Sequence, residues 1–118
     1  MTKGLTWDEV VKLGCALPET AEGTYHGMPS LKTRGKDLTH LYPEHNAITI
    51  KLGSIDERDA LLDLDPALYH ITDHFKGWPY LMMRLDQADR DVTLAHLINM
   101  WRGRVTKKMA REFDEAQK

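Results

Sequence analysis

The sequence predicts a small α+β protein: two layers, with a single antiparallel β-sheet and helices packed on one face. Three observations predict it. Stretches with helical apolar spacing occur near both ends and once in the middle. Between them lie short runs in which apolar and polar residues alternate, as Ile48, Ile50 and Leu52 do against Ala47, Thr49 and Lys51. Alternation with period two is the signature of a strand whose faces differ. The order of these elements suggests one antiparallel sheet with the helices on one face. The element order is helix, three or four strands, helix, two strands, helix.

The first helix opens at Thr6-Trp7-Asp8-Glu9, a capping-box pattern in which Thr6 covers a first-turn amide and Glu9 reaches back. Val10, Leu13 and Leu17 form its apolar stripe, and Pro18 ends it. A loop then leads into a short strand around Thr24-Tyr25-His26. Three strands follow: Pro29 to Arg34, turning at Gly35-Lys36; Asp37 to Tyr42, turning at Pro43-Glu44-His45-Asn46; and Ala47 to Leu52. Ser54-Ile55-Asp56-Glu57 repeats the capping-box pattern and opens a short helix that Asp65-Pro66 breaks. Its acids, Asp56, Glu57, Asp59, Asp63 and Asp65, read as a solvated face. Tyr69-His70-Ile71 is a short extended piece. After the turn His74 to Gly77, the strand Trp78 to Leu85 places Leu81, Met83 and Leu85 on one side and Tyr80, Met82 and Arg84 on the other. The last helix begins near Asp89 or Asp91 and carries Leu94, Leu97, Ile98 and Trp101 inward. Gly103 stops it and Thr106 caps a final helix; one bent helix is the alternative reading. Without repeats or a low-complexity linker, residues 1–118 are expected to form one domain.

Composition narrows the functional classes. The 118 residues are 42% hydrophobic and 29% charged, so a packed core is expected rather than disorder. The formal net charge of -2 argues against a globally cationic nucleic-acid binder, which leaves a local basic patch as the route to such a role. Cys15 is the one cysteine, so no internal disulfide forms, and a reducing compartment fits. No apolar run is long enough for a membrane span, and the first residues lack a signal-peptide core; a cytoplasmic location is expected.

The chemistry-bearing residues point to a surface rather than a catalytic centre. Lys32 and Arg34 share a strand face by their spacing, Lys36 follows at the turn, and Lys51 and Arg84 occupy outward slots on other strands. Five such cations suit a phosphate backbone, with Trp78 and Tyr80 as stacking surfaces for bases. The ordinary alternative is a solvated sheet face. A second basic run, Arg102, Arg104, Lys107, Lys108 and Arg111, reads as helix-end cations and i,i+4 pairs. Six histidines are spread along the chain without zinc-like spacing, so no metal is expected. Ser30 and Ser54 lack a nucleophile-elbow setting, Cys15 reads as inert packing in the first helix, and no phosphate loop or dinucleotide fingerprint is present. No cofactor or enzymatic activity is expected.

Several blocks in this order resemble the MmcQ/YjbR family of small bacterial proteins. They are Leu17-Pro18-Glu19; Gly27-x-Pro29 followed by Leu31-Lys32; Gly35-Lys36; Glu57-Arg58 with Leu61-Leu62; and Gly77-Trp78-Pro79 entering the last strand. The resemblance covers most of the chain. It implies a two-layer CyaY-like, or secretion-chaperone-like, fold and DNA binding through paired β wings. The leading expectation is a non-enzymatic DNA-binding protein using Lys32, Arg34, Lys36, Lys51, Arg84, Trp78 and Tyr80. The rival is a protein-interaction or chaperone-like module, possibly a homodimer, using the same face through an apolar patch of Met28, Tyr80 and Met82.

Overall fold

A computed structural model describes residues 4–117. The order is α1 (Trp7–Cys15), β1 (Thr20–Tyr25), β2 (Met28–Thr33), β3 (Lys36–Tyr42), β4 (Ala47–Lys51), α2 (Ile55–Leu64), β5 (Tyr69–His70), β6 (Tyr80–Arg84), α3 (Arg90–Arg102) and α4 (Lys107–Ala116). Single 3-10 turns cover Asp73–Phe75 and Leu85–Gln87. All neighbours in the six-stranded sheet are antiparallel, in the order β1-β2-β3-β4-β6-β5. The chain leaves β4 through α2, passes β6 and lays down β5 at the edge; it then turns back to insert β6 between β5 and β4. No helix among the described residues is long and apolar enough to cross a membrane.

The caps follow from side-chain chemistry. Thr6 Oγ1 accepts from the Glu9 amide while the Glu9 carboxylate accepts from the Thr6 amide, the full reciprocal box. At α2, Ser54 accepts from the Glu57 amide, but the Glu57 carboxylate reaches one residue further and accepts from the Gly53 amide at 2.8 Å. Asp89 caps α3 and Thr106 caps α4. These are two helices, separated where the Gly103 amide turns back to the Met100 carbonyl.

The core lies between the sheet and α1, α3 and α4. Leu31, Ile48, Ile50, Leu81, Met83 and Leu85 meet Val10, Leu97 and Trp101 with essentially no exposure. Removing such surfaces from water supplies roughly 25 cal/mol per Å² of apolar area. Trp101 also donates its Nε1 proton to the Pro18 carbonyl at 2.9 Å, fastening α3 to the end of α1.

The second sheet face is not open as expected. Phe75, carried by the segment between β5 and β6, folds onto Ala47 and Met82, and Tyr42, Ile71 and Tyr80 pack around them. Met82 is 1% exposed, Ser30 1% and His40 7%, although alternation aims all three away from the helices. The segment is held by Arg58 of α2, which donates to the carbonyls of Phe75, Lys76 and Trp78 at 2.8, 3.1 and 2.7 Å.

The sheet also splits. Leu31 faces Thr39 and Lys32 faces Asp37, so Leu38 is an extra residue and β3 carries a bulge. Beyond it β3 and β4 pair only at Leu41–Ile48 and Tyr42–Ala47, whereas β4 and β6 pair along the whole of β4. The unpaired halves part, and the C-terminal end of α3 closes the back of the gap.

Candidate functional site

The expected binding residues divide between the two ends of the sheet. The β2–β3 turn, the end of β4 and the start of β6 share one end, so Lys32, Arg34, Lys36, Lys51, Trp78 and Tyr80 all lie at that end. Lys32 lies across Gly23 on the neighbouring strand, where a Cβ would meet its Cδ at 3.1 Å. Lys51 and Tyr80 are cross-strand partners. Trp78, in the turn before β6, is 63% exposed.

Three of the expected positions are corrected by local geometry. Arg34 is not on the strand face with Lys32: with Gly35 it forms the turn itself, both with positive φ (54° and 80°). Its guanidinium lies 4.0 Å from Glu19, an exposed and therefore weak pair. Lys36 partners Thr33, whose hydroxyl sits 2.7 Å from that of Thr20, so its register places it on the face opposite to Lys32. Arg84 is at the other end of β6, with its Nη1 donating to the Pro66 and Ala67 carbonyls at 3.1 Å each. It fastens the entry to β5 and does not join the patch. The apolar patch imagined across Met28, Tyr80 and Met82 is interrupted as well, because Met82 is covered by Phe75.

The cleft of the split sheet opens at the same end and encloses about 450 Å³. Asp37 and Leu38 form one wall, Thr49, Lys51 and Tyr80 the other, and Asn99, Met100 and Arg104 the back. Its strand edges use substitute partners. The Thr39 hydroxyl donates to the Thr49 carbonyl at 2.7 Å, Arg104 Nε donates to the Asp37 carbonyl at 3.1 Å, and the Lys51 amide is 3.4 Å from the Met100 sulfur. Arg104 is thus a site-wall residue, while Arg102 forms a two-pronged pair with Asp114 of α4 that raises its pKa.

On the covered face, residues that look scattered in sequence become a continuous ring system. Tyr25 stacks on His40 with centroids 4.4 Å apart, His40 leads to Tyr42 at 5.2 Å, and His45 lies 5.7 Å from His70. His40 Nδ1 donates to Asp37 Oδ2 at 3.0 Å. Ser30 is the cross-strand partner of His40. Ser30 Oγ, Asp37 Oδ1, His40 Nε2 and His70 Nδ1 are buried without a protein partner. A serine, a histidine and an aspartate adjoin here, yet Ser30 makes no hydrogen bond to His40 and presents no surface to a substrate. Burial, with Arg84 and His45 nearby, lowers the His70 pKa; burial raises that of Tyr42. The rings come from β1, β3, the turn after β3 and β5, elements far apart in the chain that only the fold brings together.

Among the described residues no group of three or more His, Cys, Asp and Glu side chains could hold a metal ion. Cys15, expected to pack inertly, is exposed at the end of α1.

No family model matches the chain, and no solved structure matches it. Uncharacterized proteins of Mycobacterium bovis and of two strains of Mycobacterium tuberculosis are 27% identical to it over 98 residues, spanning 71% of this chain and 76% of each relative.

Proposed function

We propose that this chain is a non-enzymatic, MmcQ/YjbR-like cytoplasmic protein that binds DNA with one end of its sheet rather than with the sheet face. The observation that supports the reading is that Lys32, Arg34, Lys36 and Lys51 lie at the same end of the sheet as the exposed Trp78. The β2–β3 hairpin places cations on both of its faces and at its tip, a shape that follows a phosphate backbone from within a groove or beside a single strand. Trp78 supplies a flat apolar surface for an unpaired base. The chain's net charge is -2, so the attraction for a polyanion comes from local groups of cations rather than from the whole surface.

The test is fluorescence anisotropy of labelled duplex and single-stranded DNA over a salt series. Four phosphate contacts on duplex DNA predict a log–log salt slope of about -3.6, a fall of roughly a hundredfold between about 50 and 200 mM salt. The double variant Lys32→Glu, Arg34→Glu is expected to abolish binding while retaining the wild-type far-UV spectrum. Trp78→Ala is expected to weaken single-strand binding more than duplex binding. Absence of binding at about 50 mM salt, or affinity indifferent to the double reversal, overturns the reading.

A further inference from the structure

The two edges of the sheet are built differently. At one, β5 pairs through only two residues, and Arg84 ties down the Pro66 and Ala67 carbonyls just before it. Shortness and proline are ordinary ways of closing an edge to other chains. At the other, β1 pairs with β2 at all six of its positions without a bulge, and Thr20–Tyr25 contains no proline, lysine or arginine. Ala21, Glu22, Thr24 and Tyr25 are exposed, and among the described residues no strand lies beyond them.

The ladder decides which backbone groups face outward. The Arg34 amide donates to the Glu19 carbonyl at 2.9 Å, and bonded pairs alternate along an antiparallel ladder. Ala21, Gly23 and Tyr25 therefore turn their amides and carbonyls toward β2, while Thr20, Glu22 and Thr24 turn theirs away from it. Thr20 is buried, with its hydroxyl between the Pro18 carbonyl and the Thr33 hydroxyl. Glu22 and Thr24 are left as the open pair, a template for another strand.

We propose that β1 pairs with β1 of a second copy of this chain, antiparallel across a two-fold axis at Gly23. A two-fold contact must match the strand to itself, and the open groups limit how it can do so. With Glu22 opposite the partner's Thr24, every open amide and carbonyl of both copies finds a partner. With Glu22 opposite the partner's Glu22, Thr24 falls against the partner's buried Thr20, and two carboxylates face each other. The first register also sets the Tyr25 ring across from the partner's Ala21, on either side of paired glycines. The contact is of the small, transient size class. It does not rest on the DNA reading, which uses no residue of β1.

The test is sedimentation velocity of the full chain over a concentration series, with isotope-filtered NMR on an equal mixture of labelled and unlabelled chain. A reversible monomer–dimer equilibrium is expected, with a dissociation constant at or below about 0.3 mM. An intermolecular Hα–Hα contact is expected between Ala21 and Tyr25, which this register places in a close pair without hydrogen bonds. Thr24→Glu sets a like charge against the partner's Glu22 and is expected to weaken the dimer about tenfold; Thr24→Lys sets an opposite charge there and is expected to tighten it about threefold. Thr24 is exposed, so both variants should keep the wild-type far-UV spectrum. Glu22→Pro removes an outward amide without breaking the ladder to β2 and is expected to abolish the dimer. A chain still monomeric at about 0.5 mM, a dimer indifferent to both Thr24 substitutions, or intermolecular contacts lying outside residues 20–26 overturns the proposal. Dimerisation through β1 without DNA binding refutes only the DNA reading; DNA binding by a chain that stays monomeric refutes only this edge contact.

Discussion

At the scale of the residue, Arg58 decides more than its neighbourhood in the sequence suggests. It stands among Asp56, Glu57 and Asp59 on what reads as a solvated helix face, yet it is 4% exposed. Its guanidinium places one nitrogen within hydrogen-bond reach of three carbonyls, while Asp59 Oδ1 accepts from Nε and Nη2 at 3.1 and 3.0 Å. No periodicity marks such a residue, because its partners lie in a loop without regular structure. Arg58→Met is expected to cost about 2–4 kcal/mol in urea unfolding, since three carbonyls lose a charged donor together. Enhanced hydrogen exchange should then appear across residues 72–80. His96 sets a second expectation. Its Nε2 lies 2.7 Å from the Tyr69 hydroxyl; burial lowers the His96 pKa and raises that of Tyr69, so the ring is neutral and the phenol keeps its proton. The unfolded chain therefore binds the His96 proton more readily than the folded one. The stability is fully present above the unfolded pKa of about 6.5 and is lost as pH falls through the lowered folded value. Thermal midpoints measured from pH 7.5 down to about pH 5 should decline, and His96→Gln should flatten that decline.

At the scale of the element, the bulge in β3 governs the molecule's most distinctive shape. Leu38 and Thr39 both read as ordinary members of an alternating strand, and the alternation misassigns them because one extra residue shifts everything beyond it. Thr39 then sits with no exposure, and its hydroxyl takes the Thr49 carbonyl that a backbone amide of a continuous ladder would take. Thr39→Val preserves the shape and leaves that carbonyl without its donor. A loss of about 1–2 kcal/mol is expected in chemical denaturation, with hydrogen exchange in β3 and β4 rising more than in β1 and β2. The hairpin turns are more readable. His26-Gly27 and Arg34-Gly35 both adopt paired positive φ values, and a glycine in the second place is what such turns favour. Arg34 belongs to the turn, so strand alternation does not set the direction of its side chain.

At the scale of the whole molecule, the two faces of the sheet are both filled, by different means. Helices cover one face, as the spacing of Val10, Leu97 and Trp101 announces. The other is covered by Phe75 and by the sheet's own Tyr and His rings, so its chemistry is largely internal. One end of the sheet presents a hairpin carrying Lys32, Arg34 and Lys36, an exposed tryptophan and a cleft. The DNA contact proposed above is accordingly a projecting rim rather than a flat sheet face. The salt slope and the effect of Lys32 and Arg34 reversal are expectations of this whole-molecule layout, because they depend on charges from several strands acting together.

Local sequence accounts for the elements: the reciprocal cap at Thr6, the stops at Pro18 and Gly103, the alternation in β4 and β6, and hence an antiparallel sheet with helices against it. Those properties arise from neighbours within a few residues, where capping, backbone dihedrals and side-chain period act directly. Long-range packing sets the rest: β3 bulges away from β4, Phe75 covers the second face, Arg84 is tied to carbonyls, and Asp37, Lys51, Tyr80 and Arg104 line one cleft. Each of those depends on residues far apart in the chain competing for the same partners, and the winner is set by strand order and packing rather than by any local pattern.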